Sequence, residues 1–177
     1  MSSLIVGSWR AAELMPSIEL SEAEERAHVV ALVDSWAAEQ LAEGSMLVAV
    51  EKIEVDDRTA SHRWLLRFKG EEKDFITLWL TYHQRTLHFE TQFMPAPEHN
   101  IEAVLTYLLR RNAALIQMAF AFGPEDAIYL TGRVPASLID ADELDRIAGC
   151  SVLYVDDHFP TAMSLGFPDL YRRRRRA

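Results

Sequence analysis

The segment 74–82 constrains the fold most, because it is apolar on both sides of a β-strand. Successive side chains of a strand point to opposite faces of its sheet, so Phe75 and Trp79 share one face. The other face receives Ile76, Leu78, Leu80 and Tyr82. Burying two large aromatic side chains contributes about 4–6 kcal/mol, which is comparable with the net stability of a domain. We therefore expect a central strand that has cover over both of its faces.

Three further segments show the same two-residue alternation of apolar and polar side chains. They lie at 46–55, 62–69 and 86–94. The connections between the four segments are too short for a crossover helix, so the strands must run antiparallel. The sequence leaves one pairing open. If the loop after Lys69 has an even number of residues, Trp64 lies on the same sheet face as Trp79. If that number is odd, Trp64 lies on the face of Leu78.

A capping box predicts the start of the first helix. The Ser21 hydroxyl can accept a hydrogen bond from the first turn, and the Glu24 carboxylate can accept one from the cap amide. Gly44 ends the helix. Its apolar stripe has helical period and comprises Ala27, Val30, Ala31, Ala38 and Leu41, with Val29, Val33 and Trp36 beside it.

Two later helices are predicted on the same grounds. Asn100 begins the second helix, and the arginine pair 110–111 closes it. Asp140 and Glu143 form another capping box at the start of the third helix, which Pro160 should end or kink. The apolar positions are Ile101, Val104, Leu105, Leu108 and Leu109 in the second helix, and Leu144, Ile147, Ala148, Ser151, Val155 and Phe159 in the third.

The remaining strands form a hairpin. Segments 118–122 and 128–134 alternate on either side of a Gly-Pro turn. The predicted order is therefore helix, four strands, helix, two strands, helix, which is an α+β fold with helices packed on an antiparallel sheet. We expect a single domain over residues 17–167, with an N-terminal arm at 1–16 and a basic C-terminal tail at 168–177.

The second face of this sheet can be covered in three ways. The helices can divide between the two faces, the arm 1–16 can fold over the sheet, or a second copy of the chain can pack on it. Symmetric pairs are the commonest assembly for domains of this size. We therefore favour a homodimer.

The composition is typical of a soluble globular chain. The 177 residues carry 18 Lys and Arg against 27 Asp and Glu, a formal net charge of −9, and 49% of them are hydrophobic. That apolar fraction is too high for a disordered chain, and no apolar run approaches the roughly 20 residues that span a bilayer. The acidic balance disfavours general binding to nucleic acid. A single cysteine, Cys150, excludes an internal disulfide and suits a reducing compartment, so we expect a cytoplasmic protein without membrane contact.

One block departs from this acidic character. Five consecutive arginines, Arg172, Arg173, Arg174, Arg175 and Arg176, form a basic appendage on an acidic body. A solvated tail is the simplest interpretation, and contact with RNA, a membrane or a partner protein is the alternative.

The sequence contains no recognisable catalytic motif. No serine stands in a Gly-x-Ser-x-Gly setting, and the 7 glycines form no phosphate-binding loop. Cys150 follows Gly149 within a predicted helix, where we expect a buried, inert thiol. We therefore predict a non-enzymatic protein without a cofactor. A cleft assembled from Asp156, His158 or His83 is the catalytic alternative.

Two pairs of residues have the spacing of metal ligands but lack the rest of a site. Glu25 and His28 show the Glu-x-x-His spacing once, whereas a di-metal bundle needs it twice, and we predict surface charge there. His83 and His88 flank a hairpin turn, without an evident third ligand. The acidic and imidazole side chains at 156–158 are predicted to form a solvated face of the last helix. We predict no metal site.

The predicted elements carry motifs of a known family. The stretch 107–112, Tyr-Leu-Leu-Arg-Arg-Asn, is followed by the hairpin 118–134, which closes on Thr-Gly-Arg-Val-Pro at 131–135. These motifs resemble the YbjN family, in particular its actinobacterial members. The acidic helix start at 142–145 and the Leu-Gly-Phe at 165–167 extend the similarity, which covers most of the predicted domain.

The resemblance implies the fold of type III secretion chaperones, a small acidic α+β dimer that binds extended segments of client proteins. It also implies a stress-related or regulatory role without enzymatic activity, and it carries over no catalytic residue. The order of elements obtained from periodicity agrees with that fold.

Two functional hypotheses follow. The first is a cytoplasmic, homodimeric protein-binding module, a chaperone or regulatory adaptor, whose exposed apolar face holds a client segment on Phe75 and Trp79. The acidic body favours a client with basic segments. The second is a regulatory factor associated with nucleic acid or the ribosome, which acts through the arginines from Arg172 to Arg176.

Overall fold

The computed structural model describes residues 21–54 and 61–170, and their order of elements is the predicted one. Two single-turn 3-10 helices, at Pro124–Asp126 and Ala136–Leu138, were not predicted. The main elements are α1 (Glu22–Ala42), β1 (Leu47–Glu54), β2 (His62–Lys69), β3 (Phe75–His83), β4 (Thr86–Met94), α2 (Ile101–Asn112), β5 (Met118–Phe122), β6 (Ile128–Pro135) and α3 (Ala141–Gly166).

The strands form a six-stranded sheet in the order β1-β2-β3-β4-β6-β5, and every neighbouring pair is antiparallel. The register that the sequence left open places Trp64 opposite Leu80 and Leu66 opposite Leu78. Trp79 lies opposite Leu65 on the other face. The loop at 70–74 has an odd number of residues, which produces this register.

All three helices pack on the sheet face that bears Trp64. From α1, the Asp34 carboxylate accepts a hydrogen bond from the Trp64 indole at 2.8 Å. From α3, the Phe159 ring lies edge-on to Phe93, with the ring centroids 6.0 Å apart. From α2, Leu108 is buried in the same core. The expected alternative in which the helices divide between the two faces is therefore wrong for the helices that the structure describes.

The cap of α1 is as predicted, but its buried face is not. Ser21 and Glu24 form the reciprocal capping box. The predicted stripe is wrong in large part, because Ala27, Ala31, Ala38 and Leu41 are exposed. Val29, Val33 and Trp36, which the prediction placed beside that stripe, are buried, and so is Ala37. Alanine contributes little apolar area, so the valines and the tryptophan decide which side of the helix packs.

The third helix departs from prediction at both ends. The Asp140 carboxylate accepts a hydrogen bond from the Glu143 amide at 2.8 Å, but the Glu143 carboxylate pairs with Arg146 at 2.7 Å and does not return to the cap. Of the two effects predicted for Pro160, an end of the helix is wrong, because α3 continues to Gly166. Proline removes one helical hydrogen bond, and the burial of Ala162 in the next turn stabilises the continuation.

Glu25 is buried, not part of the predicted surface charge. Its side chain is 6% exposed, and its carboxylate accepts a hydrogen bond from Arg85 Nε at 2.7 Å. Arg85 lies in the turn between β3 and β4. The ion pair therefore ties the start of α1 to that turn.

Candidate functional site on the open face of the sheet

The second face of the sheet has no helix over it in the described part of the chain. Its middle row crosses all six strands, because antiparallel partners point to the same face. The row consists of Glu51, Leu65, Trp79, Glu90, Thr131 and Ala119. We call this side of the sheet the open face.

Trp79 stands at the centre of the open face and is half-buried. The guanidinium carbon of Arg63 lies 4.1 Å from the centroid of the indole ring. The same guanidinium reaches the Glu90 carboxylate at 3.6 Å. Arginine stacked on an aromatic ring covers apolar area and adds a cation–π attraction. The sequence predicts that Trp79 is covered, and Arg63 of the neighbouring strand supplies part of that cover.

Phe75 lies at the start of the same strand and is 50% exposed. The guanidinium carbon of Arg67 lies 4.9 Å from its ring centroid. Phe75 and Trp79 are thus two aromatic side chains on one face, each beside an arginine of β2. Of the candidate residues named from the sequence, these two share the open face, four positions apart along β3. The five arginines from Arg172 to Arg176 lie outside the described residues.

Sequence reasoning missed Arg63 and Arg67, although the signal was present. In β2 the large apolar residues Trp64, Leu66 and Phe68 alternate with Arg63, Leu65 and Arg67. Once the first set is assigned to the core, the second set must point to the open face. The alternation was used only to find the strand.

A second apolar surface lies between α2 and β5. It is a groove of about 100 Å³ lined by apolar side chains, and it includes Leu109 (66% exposed) and Phe122 (60% exposed). The remaining lining residues are Leu105, Leu108, Phe120, Ala121 and Ile128. Ile101 and Leu109, two of the apolar positions that predicted α2, are exposed.

The predicted solvated face at 156–158 is wrong for Asp156 and His158, whereas Asp157 is exposed. The Asp156 carboxylate accepts hydrogen bonds from the backbone amides of Glu71, Glu72 and Lys73 at 2.9–3.2 Å. His158 Nδ1 lies 3.1 Å from the Tyr107 hydroxyl. Burial, followed by the charge of a nearby arginine, lowers the pKa of His158 below its usual value.

Lys73 completes this cluster. Its ammonium group donates to the backbone carbonyls of Gln92 and Phe93, the second at 3.2 Å. Burial lowers the pKa of Lys73 to about 8, and the Asp156 carboxylate opposes that shift. The cluster joins the β2–β3 loop to α3. His83 lies at the end of β3 opposite to this loop, so it is not brought to Asp156 and His158.

The two histidines of the β3–β4 hairpin have different partners. His83 pairs with Thr86, whereas His88 Nε2 lies 2.9 Å from the Thr131 hydroxyl. Within residues 21–54 and 61–170, no three His, Cys, Asp or Glu side chains are grouped as metal ligands. None of the helices in those ranges combines the length and the apolar character of a membrane span.

The relatives of this chain among known proteins include mycobacterial proteins, in agreement with the resemblance to actinobacterial members of the family. Uncharacterized proteins of Mycobacterium tuberculosis and Mycobacterium bovis are each 33% identical over 109 residues, which is 62% of this chain and 60% of the relative. One of Mycobacterium leprae is 30% identical over 105 residues, 59% of this chain and 57% of the relative. The chain thus matches less than two thirds of the length of these relatives.

Two solved structures share the fold. One chain of the heterodimeric complex ExoU-SpcU, from the type III secretion system of Pseudomonas aeruginosa, matches with a TM-score of 0.50 at 16% identity, over 72% of this chain and 95% of that chain. One chain of the HopA1-SchA chaperone-effector complex matches with a TM-score of 0.50 at 12% identity, over 80% and 98%. At these identities the likeness concerns the fold, and it confirms the predicted α+β fold of secretion chaperones.

A family model matches a range that includes all six strands, α2 and most of α3. Residues 45–162 match the model of YbjN, described as "Putative bacterial sensory transduction regulator". The motifs at 107–112 and 131–135 lie within that range. The chain belongs to the YbjN family.

Proposed function

We propose that this protein is a non-enzymatic, cytoplasmic protein-binding module of the chaperone type, which holds an extended client segment on the open face of its sheet. One observation carries the proposal. Phe75 and Trp79 lie on a sheet face without a described helix, while all three helices pack on the opposite face. Support also comes from the fold, which is shared with chains of a chaperone-effector complex.

The physical basis is the apolar area that remains accessible at this face. Exposed aromatic side chains that partner contacts can desolvate are typical anchors of protein interfaces. Phe75 retains half of its surface for such a contact, and Leu65 extends the apolar area beside Trp79. A segment that lies along one strand of this face can stay extended, with every second side chain directed at the sheet.

The test compares the Phe75→Ser/Trp79→Ser double variant with wild type. Proteins that the wild type retains from native lysate, and that bind it again after purification, should be lost with the double variant. The control is Leu138→Ser/Leu153→Ser, which changes two exposed apolar residues on the helix side. Circular dichroism establishes that each variant is folded. Equal retention of the same purified partners by a folded double variant would refute the proposal.

We also propose that the protein forms a homodimer through the groove between α2 and β5. Leu109 and Phe122 are exposed there, and β5 is an edge strand whose outer side pairs with no other strand of the described residues. Helix α2 has Glu102 in its first turn and Arg110 in its last. Two copies of α2 that pack antiparallel about a twofold axis would therefore bring each Glu102 close to the other Arg110.

Sedimentation tests the dimer. The wild type should have the mass of two chains at micromolar concentration, and Leu109→Asp should have the mass of one. Leu138→Asp, an equally exposed leucine outside the groove, should remain dimeric. A monomeric wild type would exclude the dimer, and it would leave the client-binding proposal unaffected.

A further inference from the structure

The open face is basic, although the chain as a whole is acidic. Arg63, Arg67 and Arg133 belong to it, whereas its strand residues include only two carboxylates, Glu51 and Glu90. Glu90 already lies within 3.6 Å of Arg63. Among the residues that the structure describes, Arg67 and Arg133 form no salt bridge. The face therefore carries unneutralised positive charge beside exposed aromatic rings.

We propose that the open face selects an extended client segment in which acidic residues alternate with aromatic or aliphatic ones. This inference rests on the proposed function and adds the chemistry of the client. It reverses the expectation that an acidic body selects a basic client. Screening limits charge interactions to roughly 8 Å at physiological salt, so a bound segment responds to the arginines beneath it more than to the net charge of −9.

The spacing of β2 matches such a segment. Arg63, Leu65 and Arg67 occupy alternate positions on the open face. An extended segment that lies along β2 presents every second side chain to the sheet, at a spacing of about 7 Å. Acidic side chains over the two arginines then place an apolar side chain over Leu65 and the neighbouring Trp79. The matching pattern is acid, any residue, apolar, any residue, acid.

The two arginines are positioned for this role by the aromatic rings. Their guanidinium carbons lie 4.1 Å from the Trp79 ring and 4.9 Å from the Phe75 ring. A stacked guanidinium keeps its N–H groups at the edge of its plane, where a carboxylate can accept two hydrogen bonds. The rings also limit the freedom of the arginine side chains, which reduces the entropy lost when a carboxylate binds.

Single-stranded nucleic acid fits the same face less well. Bases bind such surfaces by stacking on open aromatic rings, and here arginines lie over Trp79 and Phe75. This feature favours a peptide, and an oligonucleotide serves as a comparison in the test.

The experiment measures binding of fluorescein-labelled peptides to the full chain by anisotropy. The probe repeats Glu-Ser-Leu-Ser, and its counterparts carry Lys or Gln in place of Glu. An oligouridine of equal length is the nucleic-acid probe. Arg67→Glu is the test variant. Arg111→Glu is the matched control, because Arg111 is also exposed and its guanidinium carbon also lies 4.9 Å from an aromatic centroid, that of Tyr107.

We expect the wild type to bind the glutamate peptide more tightly than the other two peptides. Arg67→Glu should weaken the binding of the glutamate peptide about three- to tenfold and strengthen the binding of the lysine peptide. Arg111→Glu should leave the binding of both peptides unchanged. Added salt should weaken the binding of the glutamate peptide only. Equal binding of all three peptides, lost with Trp79→Ser, would overturn the acidic preference and leave the proposed function in place. Tighter binding of oligouridine would overturn the choice of a peptide. Absence of peptide binding, or peptide binding that Trp79→Ser leaves unchanged, would overturn the site itself.

Discussion

The guanidinium of Arg63 stacks on the indole ring of Trp79 at 4.1 Å, and it joins two adjacent strands across the open face. This contact answers the central question raised by the sequence, namely what covers the second apolar side of β3. The cover is partial and comes from within the sheet. It leaves Trp79 half-buried and gives the face both an aromatic and a positive character.

Replacing Arg63 with alanine should uncover Trp79. We expect more efficient quenching of tryptophan fluorescence by acrylamide, and a loss of about 0.5–1 kcal/mol in the free energy of unfolding from the cation–π contact. Arg67→Ala is the control, because it uncovers Phe75 and not a tryptophan. Unchanged quenching in a folded Arg63→Ala would show that this contact does not shield Trp79.

The buried ion pair should respond asymmetrically to mutation. Arg85→Ala leaves the buried Glu25 carboxylate without this partner, and we expect a loss of about 1–3 kcal/mol in the free energy of unfolding. Glu25→Gln should lose less, because it removes the buried charge and leaves Arg85, whose side chain is half exposed, able to bind water. Urea denaturation of both variants measures the difference. An equal loss would contradict this explanation.

Asp156 should hold the β2–β3 loop. Asp156→Ala removes the acceptor of three backbone amides, so hydrogen exchange at Glu71, Glu72 and Lys73 should become faster. Asp157→Ala is the matched control, since Asp157 is the exposed neighbour on the same helix. If hydrogen exchange at these three amides stays slow in Asp156→Ala, other contacts hold the loop.

The titration of Lys73 should make the free energy of unfolding increase with pH in the alkaline range. Burial lowers its pKa from 10.5 to about 8 in the folded chain, so between about pH 8 and 10.5 the unfolded chain binds more protons than the folded one. The free energy of unfolding therefore gains a contribution that increases with pH across this window. Lys73→Met should lose that rise, whereas the exposed Lys69→Met should keep it. Chemical denaturation at a series of pH values provides the comparison.

The arginines from Arg172 to Arg176 remain the basis of the nucleic-acid hypothesis. If this hypothesis is correct, the full chain binds RNA, and the binding weakens steeply with salt. Deletion of residues 172–177 should abolish that binding. The glutamate peptide should still bind the shortened chain, because the open face is intact. Unchanged RNA binding at low salt after the deletion would dismiss a role for the tail.

Most local features could be predicted because their causes are local. The alternation in 74–82 identified a strand with two apolar sides, and the capping box of Ser21 and Glu24 marked the start of α1. The order of the nine main elements follows from the same kind of signal. The stripe of α1 was misassigned because alanines make one side of a helix look as apolar as another, and only contact with the sheet selects Val29 and Trp36.

The sequence by itself determined the elements, their order and the presence of aromatic residues on both sides of β3. Only the tertiary structure decided that the three helices share one face, that Glu25 and Asp156 have partners, and that Arg63 and Arg67 lie beside Trp79 and Phe75. The reason is the range of the interactions. Periodicity and capping act over a few residues, whereas the covered face and the charges beside it depend on packing between segments far apart in the chain.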